Sequence, residues 1–469
     1  MLCNFCRESR CVETGTHVVW LRIITRGLIL GFLLGWSFPS ADAATLIIES
    51  PERIPFTGFA SALAVVGDLD EDHFPDYAVG AYQYHGTQAA KQGRVYIFSG
   101  QRRAVLFTLD PPPLSPEAAA AMDPTEGAAF GCALVAVGDI DQDTVPDLLI
   151  GAFGQEKSGA AYVVSGKTHT LLHTLRAPQP QAGAGFGWSV GVVGDLTGDH
   201  IPELLVGAFA QEGNGRVFVF DGKDGRILYT LVPPLGAKEG AFGWSVAGAS
   251  DLDRDGVPDI LIGAPYTTMG QVPVQGRVYA FSGHSRKLLF AMDDPSPRMG
   301  EGFGWQVASG GDYNGDGIPD ILIGAPYKDG DISRAEGAAF VFNGADGSLL
   351  RSLHDPAYTR EYSGFGFSFA SDFDINHDGI PDILVGAPYQ TVDQFHIQGE
   401  AFLFDGKDGK LLATFDNPFP HQGSSLGYSL VTLGDINDDQ IPDFVIGATG
   451  QIILDKVAVG RIYVFLSSQ

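Results

Sequence analysis

The sequence contains little cysteine. There are four cysteines in 469 residues, and three of them, Cys3, Cys6 and Cys11, lie close to the start. Their spacing has no matching second half later in the chain, so a cysteine cluster for a metal or redox reaction is not supported. Cys132 is the one remaining thiol. No disulfide can therefore form within the rest of the chain, and other interactions must stabilise the fold.

Basic residues are also scarce. Lys and Arg total 29 against 56 Asp and Glu, which gives a formal net charge of −27, and no basic block stands out. This balance argues against nucleic acid or an anionic membrane as a partner. Apolar residues nevertheless make up 45% of the chain and aromatic residues 11%. A chain of this composition can bury a large core, so the excess acid must be concentrated at particular places.

Long hydrophobic runs are absent too. The apolar run from Gly27 to Trp36 is far shorter than the ~20 residues that a membrane-spanning helix needs. Arg22 and Arg26 precede it, and Ala41-Asp42-Ala43 supplies the small residues of a signal-peptidase site. We predict a signal peptide over residues 1–43, with retention as an anchor as the alternative. The mature chain is then secreted, periplasmic or at the cell surface, with no membrane span after leader removal.

The sequence does contain one nonapeptide seven times. It starts with Asp, places mostly carboxylates or amides at alternate positions, and ends with Pro and an acid. The copies are 71, 56, 56, 61, 62 and 61 residues apart. Such regular spacing indicates a repeat architecture. Because the copies run through the whole of residues 44–469, no room remains for a second domain.

Four short apolar runs accompany each nonapeptide. A Phe-Gly signal such as Phe303-Gly304 precedes the first run, and the terminal acid opens the second, as in Ile260–Ala264. The third run is typified by Gly276–Phe281 and the Leu-rich fourth by Ile227–Leu231. Short apolar runs bounded by turn residues are typical of strands. Four-stranded units repeated radially predict an all-β fold, a seven-bladed β-propeller over 44–469, with a stacked solenoid as the alternative.

The order of these runs predicts how the ring closes. The chain ends with a run of the third type, Gly460 to Phe465, whereas the mature chain begins with a run of the fourth type, Thr45 to Glu49. The last blade therefore lacks an outer strand of its own. We expect the N-terminal strand to pair with the last blade and supply it.

The nonapeptide also predicts a cation loop. Positions 1, 3, 5 and 9 offer side-chain oxygens, and the apolar residue at position 7 offers its carbonyl. This oxygen set suits calcium better than magnesium, which retains water, or zinc, which prefers Cys and His. The predicted ligands are Asp68, Asp70, Asp72, Phe74, Asp76; Asp139, Asp141, Asp143, Val145, Asp147; Asp195, Thr197, Asp199, Ile201, Glu203; Asp251, Asp253, Asp255, Val257, Asp259; Asp312, Asn314, Asp316, Ile318, Asp320; Asp374, Asn376, Asp378, Ile380, Asp382; and Asp435, Asn437, Asp439, Ile441, Asp443.

We expect up to seven calcium ions, one in each blade; metal-free Asp-rich turns are the alternative. The side-chain positions carry 24 acids in all, which repel one another without counter-ions. The third loop, with Thr197 and the longer Glu203, is expected to bind calcium least well. Position 6 is glycine only at Gly256, Gly317 and Gly379. A left-handed backbone there would strain the other four loops.

The order Phe303-Gly304, Asp312 to Asp320 and Gly324-Ala325-Pro326 resembles the FG-GAP repeat, which builds the seven-bladed propeller of integrin alpha subunits. The resemblance covers essentially residues 45 to 465. It implies calcium loops on one face of the disc and partner binding on the other. We therefore expect a non-catalytic binding or adhesion module for an unidentified protein or glycan. In integrins only some blades carry the calcium motif, so the animal adhesion role does not transfer intact.

A propeller enzyme acting on polysaccharide, a lyase or hydrolase with structural calcium, is the alternative function. Gly187 to Gly191 matches the Gly-x-Ser-x-Gly pattern of a nucleophile elbow, which requires a strand, a sharp turn and a helix. Ser189 instead occupies a repeated strand position, shared with Ser245, Ser368 and Ser429. We therefore predict no enzymatic activity.

One group of aromatic residues has two possible placements. Tyr266, Tyr327 and Tyr389 each follow a Gly-Ala-Pro turn. They either form an aromatic collar near the pore or pack against that turn. The neighbouring loops vary in sequence, as partner surfaces on repeat proteins usually do.

Overall fold

A computed structural model describes residues 45–85, 92–113, 127–235, 240–268, 274–328, 336–356, 362–452 and 458–467. The predicted signal peptide lies outside these ranges. Within them, 28 strands form seven four-stranded antiparallel sheets. Two short 3-10 turns, Gln155–Lys157 and Gln211–Gly213, complete the secondary structure. None of the helical segments in these ranges has the length and apolar character to cross a bilayer.

The strand β1 (Thr45–Glu49) comes first in the chain but belongs to the last blade. Blades 1 to 3 follow in chain order. They consist of β2 (Phe59–Gly67), β3 (Asp76–Ala81), β4 (Arg94–Phe98) and β5 (Val105–Leu109); β6 (Leu134–Gly138), β7 (Asp147–Ala152), β8 (Ala160–Val164) and β9 (Leu171–Leu175); and β10 (Phe186–Val193), β11 (Glu203–Ala208), β12 (Arg216–Phe220) and β13 (Ile227–Leu231).

Blades 4 to 7 repeat the same order. They consist of β14 (Ser245–Ala249), β15 (Asp259–Ala264), β16 (Arg277–Phe281) and β17 (Leu288–Met292); β18 (Val307–Ser309), β19 (Ile321–Ala325), β20 (Ala338–Phe342) and β21 (Leu349–His354); β22 (Ser368–Phe373), β23 (Asp382–Ala387), β24 (Glu400–Phe404) and β25 (Leu411–Phe415); and β26 (Leu426–Gly434), β27 (Asp443–Ala448) and β28 (Arg461–Phe465) with β1. The predicted all-β, seven-bladed propeller is confirmed.

The core lies between blades. The second strand of each blade is buried along its whole length, as in β15, because its sheet neighbours flank it and adjacent blades cover both faces. Seven clusters of buried residues each combine side chains of two successive blades. Phe186, for example, opens blade 3 and packs with the blade 2 residues Leu149 and Val163. Each blade therefore depends on both neighbours for burial.

The N-terminal strand closes the ring. Thr45 pairs with Phe465 and Glu49 with Arg461 in the antiparallel register of β1 and β28. The Arg461 guanidinium donates to Glu49 Oε1 at 2.6 Å. Leu46 on the same strand belongs to the core cluster between blades 7 and 1. The predicted closure is confirmed.

Short parallel bridges join successive blades. Gly215, just before β12, bridges to Phe242 of the next blade. Its backbone has φ +87°, and a Cβ there would lie 2.1 Å from the Phe242 carbonyl oxygen. Only glycine permits this approach. Equivalent bridges are Gly93 with Phe130, Gly159 with Phe186, Gly276 with Phe303, Gly337 with Phe365 and Gly399 with Leu426.

Candidate metal centres

The seven predicted loops connect the first and second strands of the blades, so they lie on one side of the disc. We call this side the loop face. The links between blades, and the connections from second to third strand, lie on the other side, which we call the opposite face. Position 9 begins the second strand in six blades, as at Asp259 in β15. The strand thus anchors the last carboxylate of the loop.

The fourth loop shows how the chain curls. Asp251 Oδ1 and Oδ2 accept hydrogen bonds from the backbone N–H groups of Asp255 and Gly256, at 2.9 and 2.7 Å. Asp255 Oδ1 in turn accepts from Val257 N–H at 3.0 Å. Asp251, Asp253 and Asp255 thereby each offer a carboxylate oxygen within 4.8 Å of the others. The predicted ligands at positions 1, 3 and 5 are brought together here.

Three other loops also gather acids. Each offers three carboxylate oxygens within 4.8 Å of one another: Asp68, Asp70, Asp76; Asp139, Asp141, Asp147; and Asp195, Asp199, Glu203. Among the described residues, no such group of acids forms in the loops that start at Asp312, Asp374 and Asp435. Those loops have asparagine at position 3, and the Asn314 amide donates to Asp316 Oδ2 at 2.9 Å.

The backbone is left-handed at position 6 of every loop. Its φ is 74° at His73, 78° at Thr144, 68° at His200 and 70° at Gln440. The left-handed backbone that we expected to strain the four loops without glycine is therefore present. The sequence pattern does not reveal that position 4 is left-handed as well. These residues are Glu71, Gln142, Gly198, Arg254, Gly315, His377 and Asp438.

Position 9 has a role that the ligand pattern does not reveal. The fully buried Asp259 accepts backbone hydrogen bonds from Leu252 at 2.7 Å and Gly283 at 3.0 Å. Gly283 lies in the turn between the third and fourth strands, so this carboxylate ties the loop to that turn. The same pair of bonds is made by Asp76, Asp147, Asp320 and Asp382. Asp443 accepts from Ile436 and from Ser467, which follows β28. A sequence signal exists, since a glycine recurs two residues after most third strands.

Burial controls the electrostatics of these loops. It raises the pKa of Asp259 from 3.8 to about 6, against the opposing effect of its two backbone hydrogen bonds. Burial likewise raises the pKa of Glu203 to about 7. At Asp70, burial and then the charge of Asp72 raise the pKa. Nearby positive charge would stabilise all of these carboxylates.

Asp70 provides a test of whether the loops fit a metal ion. Both of its carboxylate oxygens are buried and accept no hydrogen bond, although Arg102 Nη1 lies 3.0 Å from Oδ2. This one ion pair does not offset burial and the charge of Asp72, since the pKa of Asp70 stays raised, so a further cation in the loop would stabilise the carboxylate. The possible ligand atoms that the loop gathers are all oxygens, as hard divalent cations require. The residues therefore fit such an ion.

The serine of the elbow-like motif has a structural partner. Ser189 lies within β10 and donates to the Gly243 carbonyl of the next blade at 2.8 Å. Ser245 and Ser368 donate in the same way to Gly304 and Gly427. These hydroxyls join blades, and Ser189 does not stand on the turn that an elbow requires.

The opposite face carries an arc of aromatic rings, one from each of blades 3 to 7. The ring centroids of Trp188, Trp244, Trp305, Phe367 and Tyr428 follow one another at 4.7, 4.8, 5.6 and 4.8 Å. Tyr266, Tyr327 and Tyr389 pack edge-on against three of them. The tyrosines thus join an aromatic collar.

A family model described as FG-GAP repeat matches residues 59–98, 186–220, 242–281, 303–342 and 365–404. Each match runs from the phenylalanine that opens a blade to the phenylalanine that ends its third strand. Integrin alpha-3 of Cricetulus griseus is 29% identical over 266 residues, which cover 55% of this chain and 24% of the relative. Integrin alpha-5 of Xenopus laevis is 34% identical over 230 residues, covering 46% and 21%. The chain is an integrin-alpha-like FG-GAP propeller.

The FG-GAP propeller also resembles a solved structure, the crystal structure of BBS1N in complex with ARL6DN, soaked with lead. The TM-score is 0.51 at 12% identity, and the match covers 90% of this chain and 97% of that one. At this identity the likeness concerns the fold alone. The chain spans about a quarter of the length of the integrin relatives. The activities of those whole proteins are therefore not transferred to it.

Proposed function

We propose that this FG-GAP propeller is an exported calcium-binding module without catalytic activity. It binds a protein or glycan partner on its opposite face, in the manner of an adhesion domain. The observation that carries the proposal is the gathering of three carboxylates in each of four loops, together with the buried Asp70, whose pKa stays raised despite its ion pair with Arg102. The predicted signal peptide supports export.

Calcium fits the loops because each loop offers a set of oxygen ligands. Positions 1, 3, 5 and 9 would hold the ion with side-chain oxygens, and position 7 would add its carbonyl. Bound calcium would neutralise carboxylates whose pKa values burial raises, such as Asp259 and Glu203. The ion would stabilise the folded ring, since it binds the native loops alone. The third loop remains the one expected to bind least well.

The opposite face supports partner binding in two ways. It carries the aromatic collar, and it carries loops that differ from blade to blade. Large apolar side chains are exposed there, for example Val232 at 51% and Met299 at 70% of their surface. Exposed apolar groups on a rigid scaffold are typical of recognition surfaces.

Metal analysis of the mature chain, residues 44–469, tests the calcium part of the proposal. After equilibration with calcium and dialysis, we expect several ions per chain and a melting temperature that falls by several degrees in chelator. Magnesium at the same concentration should restore less of the loss. A chain that retains no calcium, and whose melting ignores chelator, would overturn this part.

The partner part needs a separate experiment. Glycan arrays and envelope-protein extracts should be probed with the mature chain, with calcium and with chelator. Binding that disappears when the collar residue Trp244 is changed to Ala, while the calcium content stays unchanged, supports the opposite face. Incubation with polysaccharides tests the enzyme alternative, which would be favoured if new reducing ends or unsaturated products appear.

A further inference from the structure

A lysine and two acids are buried together where blade 4 joins blade 5. Lys328 lies in the connection between β19 and β20, whereas Asp294 and Glu301 lie in the link between β17 and β18. Their surfaces are 8%, 3% and 1% exposed, respectively. Lysine, aspartate and glutamate are almost never buried to this extent unless they are paired. We call these three residues the junction triad.

Lys328 contacts both acids of the junction triad at once. Its Nζ lies 2.8 Å from Asp294 Oδ1 and 2.8 Å from Asp294 Oδ2. It also lies 3.1 Å from Glu301 Oε1 and donates to the Ser296 carbonyl at 3.1 Å. Because the nitrogen is equally close to both Asp294 oxygens, it is a neighbour of the carboxyl carbon between them. A primary amine and a carboxyl group, the two halves of an amide, are thus held together.

The groups around this contact suit an acyl transfer. The Ser296 N–H donates to Asp294 Oδ1 at 2.8 Å, where it can stabilise negative charge that develops on this oxygen. Burial raises the pKa of Glu301, against the opposing effect of a backbone hydrogen bond, so this acid can hold a proton. An acid of raised pKa beside an amine can accept a proton and return it. The Phe340 ring, 5.9 Å from Lys328 Nζ, covers the site with apolar surface.

The sequence combines these residue types at one junction. The residues at the position of Lys328 in the other blades are Tyr84, Gln155, Gln211, Thr267, Gln390 and Gln451. Those at the position of Glu301 are Thr57, Ala128, Ala184, Gly240, Ser363 and Ser424. Where blade 6 joins blade 7, the neutral Asn417 amide donates to Gln451 Oε1 at 2.9 Å. A junction can therefore be held by neutral groups, without the desolvation cost of a buried ion pair.

We propose that Lys328 and Asp294 become joined by an isopeptide bond, with Glu301 as the acid–base group. The Lys328 ammonium gives one proton to Asp294, which leaves an amine beside a carboxylic acid. The nitrogen attacks the Asp294 carboxyl carbon, and the Ser296 N–H stabilises the oxyanion. Glu301 takes a proton from the nitrogen and returns it to the departing hydroxyl group. A C–N bond forms, a C–O bond breaks and one water molecule leaves, so no further reactant is needed.

The buried site favours the amide over the ion pair. Because both groups are held in contact, the condensation is a unimolecular step. Exclusion of water removes the reactant of the reverse hydrolysis. The amide is neutral, so its formation also removes the desolvation cost of two buried charges. Attack requires the carboxyl plane to turn towards the nitrogen, and rotation about the Cβ–Cγ bond of aspartate is permitted by its broad torsional minimum.

The bond braces a propeller that has no disulfide within residues 44–469, where Cys132 is the single thiol. Asp294 and Lys328 are 34 positions apart. The bond closes a loop that contains β18, β19 and the fifth nonapeptide, and it ties this half of blade 5 to the outer strand of blade 4. A crosslink of this kind restricts the unfolded chain and thereby stabilises the folded one. The reaction occurs once in each chain, so it involves no turnover.

Mass spectrometry of the denatured mature chain tests the proposal without any variant. We expect an intact mass that is lower than the sequence mass by one water molecule. Trypsin should then yield a branched peptide that joins residues 288–298 to residues 299–334, because the modified Lys328 is no longer a cleavage site. Fragmentation of this peptide should place the branch between Asp294 and Lys328.

Three variants test the roles of the residues. Lys328→Arg keeps a positive charge beside both acids, but a guanidinium is not deprotonated and forms no amide. We expect its full sequence mass and a melting temperature lower by several degrees. Glu301→Gln keeps the shape without the proton acceptor and should leave most chains without the bond. Asp293→Asn is the matched control, since this neighbouring acid pairs with Arg277, and it should still lose one water molecule.

An unchanged protein with its full sequence mass and separate tryptic peptides would overturn the proposal, leaving the junction triad as a buried ion pair. Loss of water without the branched peptide would place the dehydration elsewhere and would overturn it as well. If Glu301→Gln forms the branched peptide as completely as the unchanged protein, the assignment of Glu301 as the acid–base group is wrong.

Discussion

Ser429 in blade 7 donates a buried hydrogen bond of 2.7 Å to the Ala60 carbonyl in blade 1, across 369 positions of sequence. Ser189, Ser245 and Ser368 make the corresponding bond to the blade that follows each of them. The first and last blades are therefore joined by the same contact that joins neighbours along the chain. Closure of the ring is a repeat of a local interaction.

The serine bonds predict equal roles for equivalent residues. Ser189→Ala should lower the free energy of unfolding by about 1 kcal/mol, because it leaves a backbone carbonyl without its donor. Ser245→Ala is the matched control and should cost the same. Urea unfolding measures both. If Ser189 alone reacted with a serine-hydrolase probe, the structural role would be wrong.

The N-terminal strand predicts a strong effect of truncation. Removal of residues 45–49 exposes the edge of β28 and opens the core cluster that contains Leu46 and Ile48. We expect a large drop in melting temperature and aggregation through the free edge. Glu49→Gln keeps the strand and breaks only its ion pairs with Arg461 and Arg53, so it should cost about 1 kcal/mol or less. A truncated protein that stays monomeric with unchanged melting would refute the closure by β1.

The loops predict a ranking of calcium ligands. Asp255→Ala removes a charged oxygen from a loop in which three carboxylates converge, so it should abolish one calcium ion per chain and lower the melting temperature in calcium. Thr197→Ala removes a neutral oxygen from the third loop and should have the smaller effect. Metal content and melting of both variants provide the comparison. Equal losses would contradict the ranking.

The position 9 acids predict how the metal-free protein responds to pH. Burial raises their pKa values to about 6, as at Asp259 and Asp443, so their stabilising contribution is complete below pH 3.8 and is lost as pH rises through 6. In chelator, the melting temperature should therefore be higher at pH 5 than at pH 7.5. Saturating calcium should reduce or reverse this difference, because the bound cation favours the ionised carboxylates. A difference that calcium leaves unchanged would argue against binding at these acids.

Much of the fold could be predicted from local pattern. The run Ile260–Ala264 reads as a strand buried on both faces, and it is one. The order of the runs was sufficient to place Thr45–Glu49 beside Arg461–Phe465. These inferences succeed because each repeat carries the same pattern, so seven copies reinforce one interpretation.

The remaining features depend on contacts between segments that the local pattern does not connect. Asp259 accepts a hydrogen bond from Gly283, 24 positions away, only because the turn between β16 and β17 lies under the loop. The nonapeptide identifies the acid but not this partner. Which loops gather three acids also depends on side-chain orientation.

The pairing of β1 with β28 also sets an order of assembly. Blades 1 to 6 are each built from consecutive strands, so their sheets need only short connections to form. The seventh sheet requires the first and last strands of the chain together, and Glu49 and Arg461 are 412 positions apart. Bringing distant ends together is entropically costly unless intervening structure already holds them near. Until β28 has been synthesised, the other blades can therefore form only an open arc.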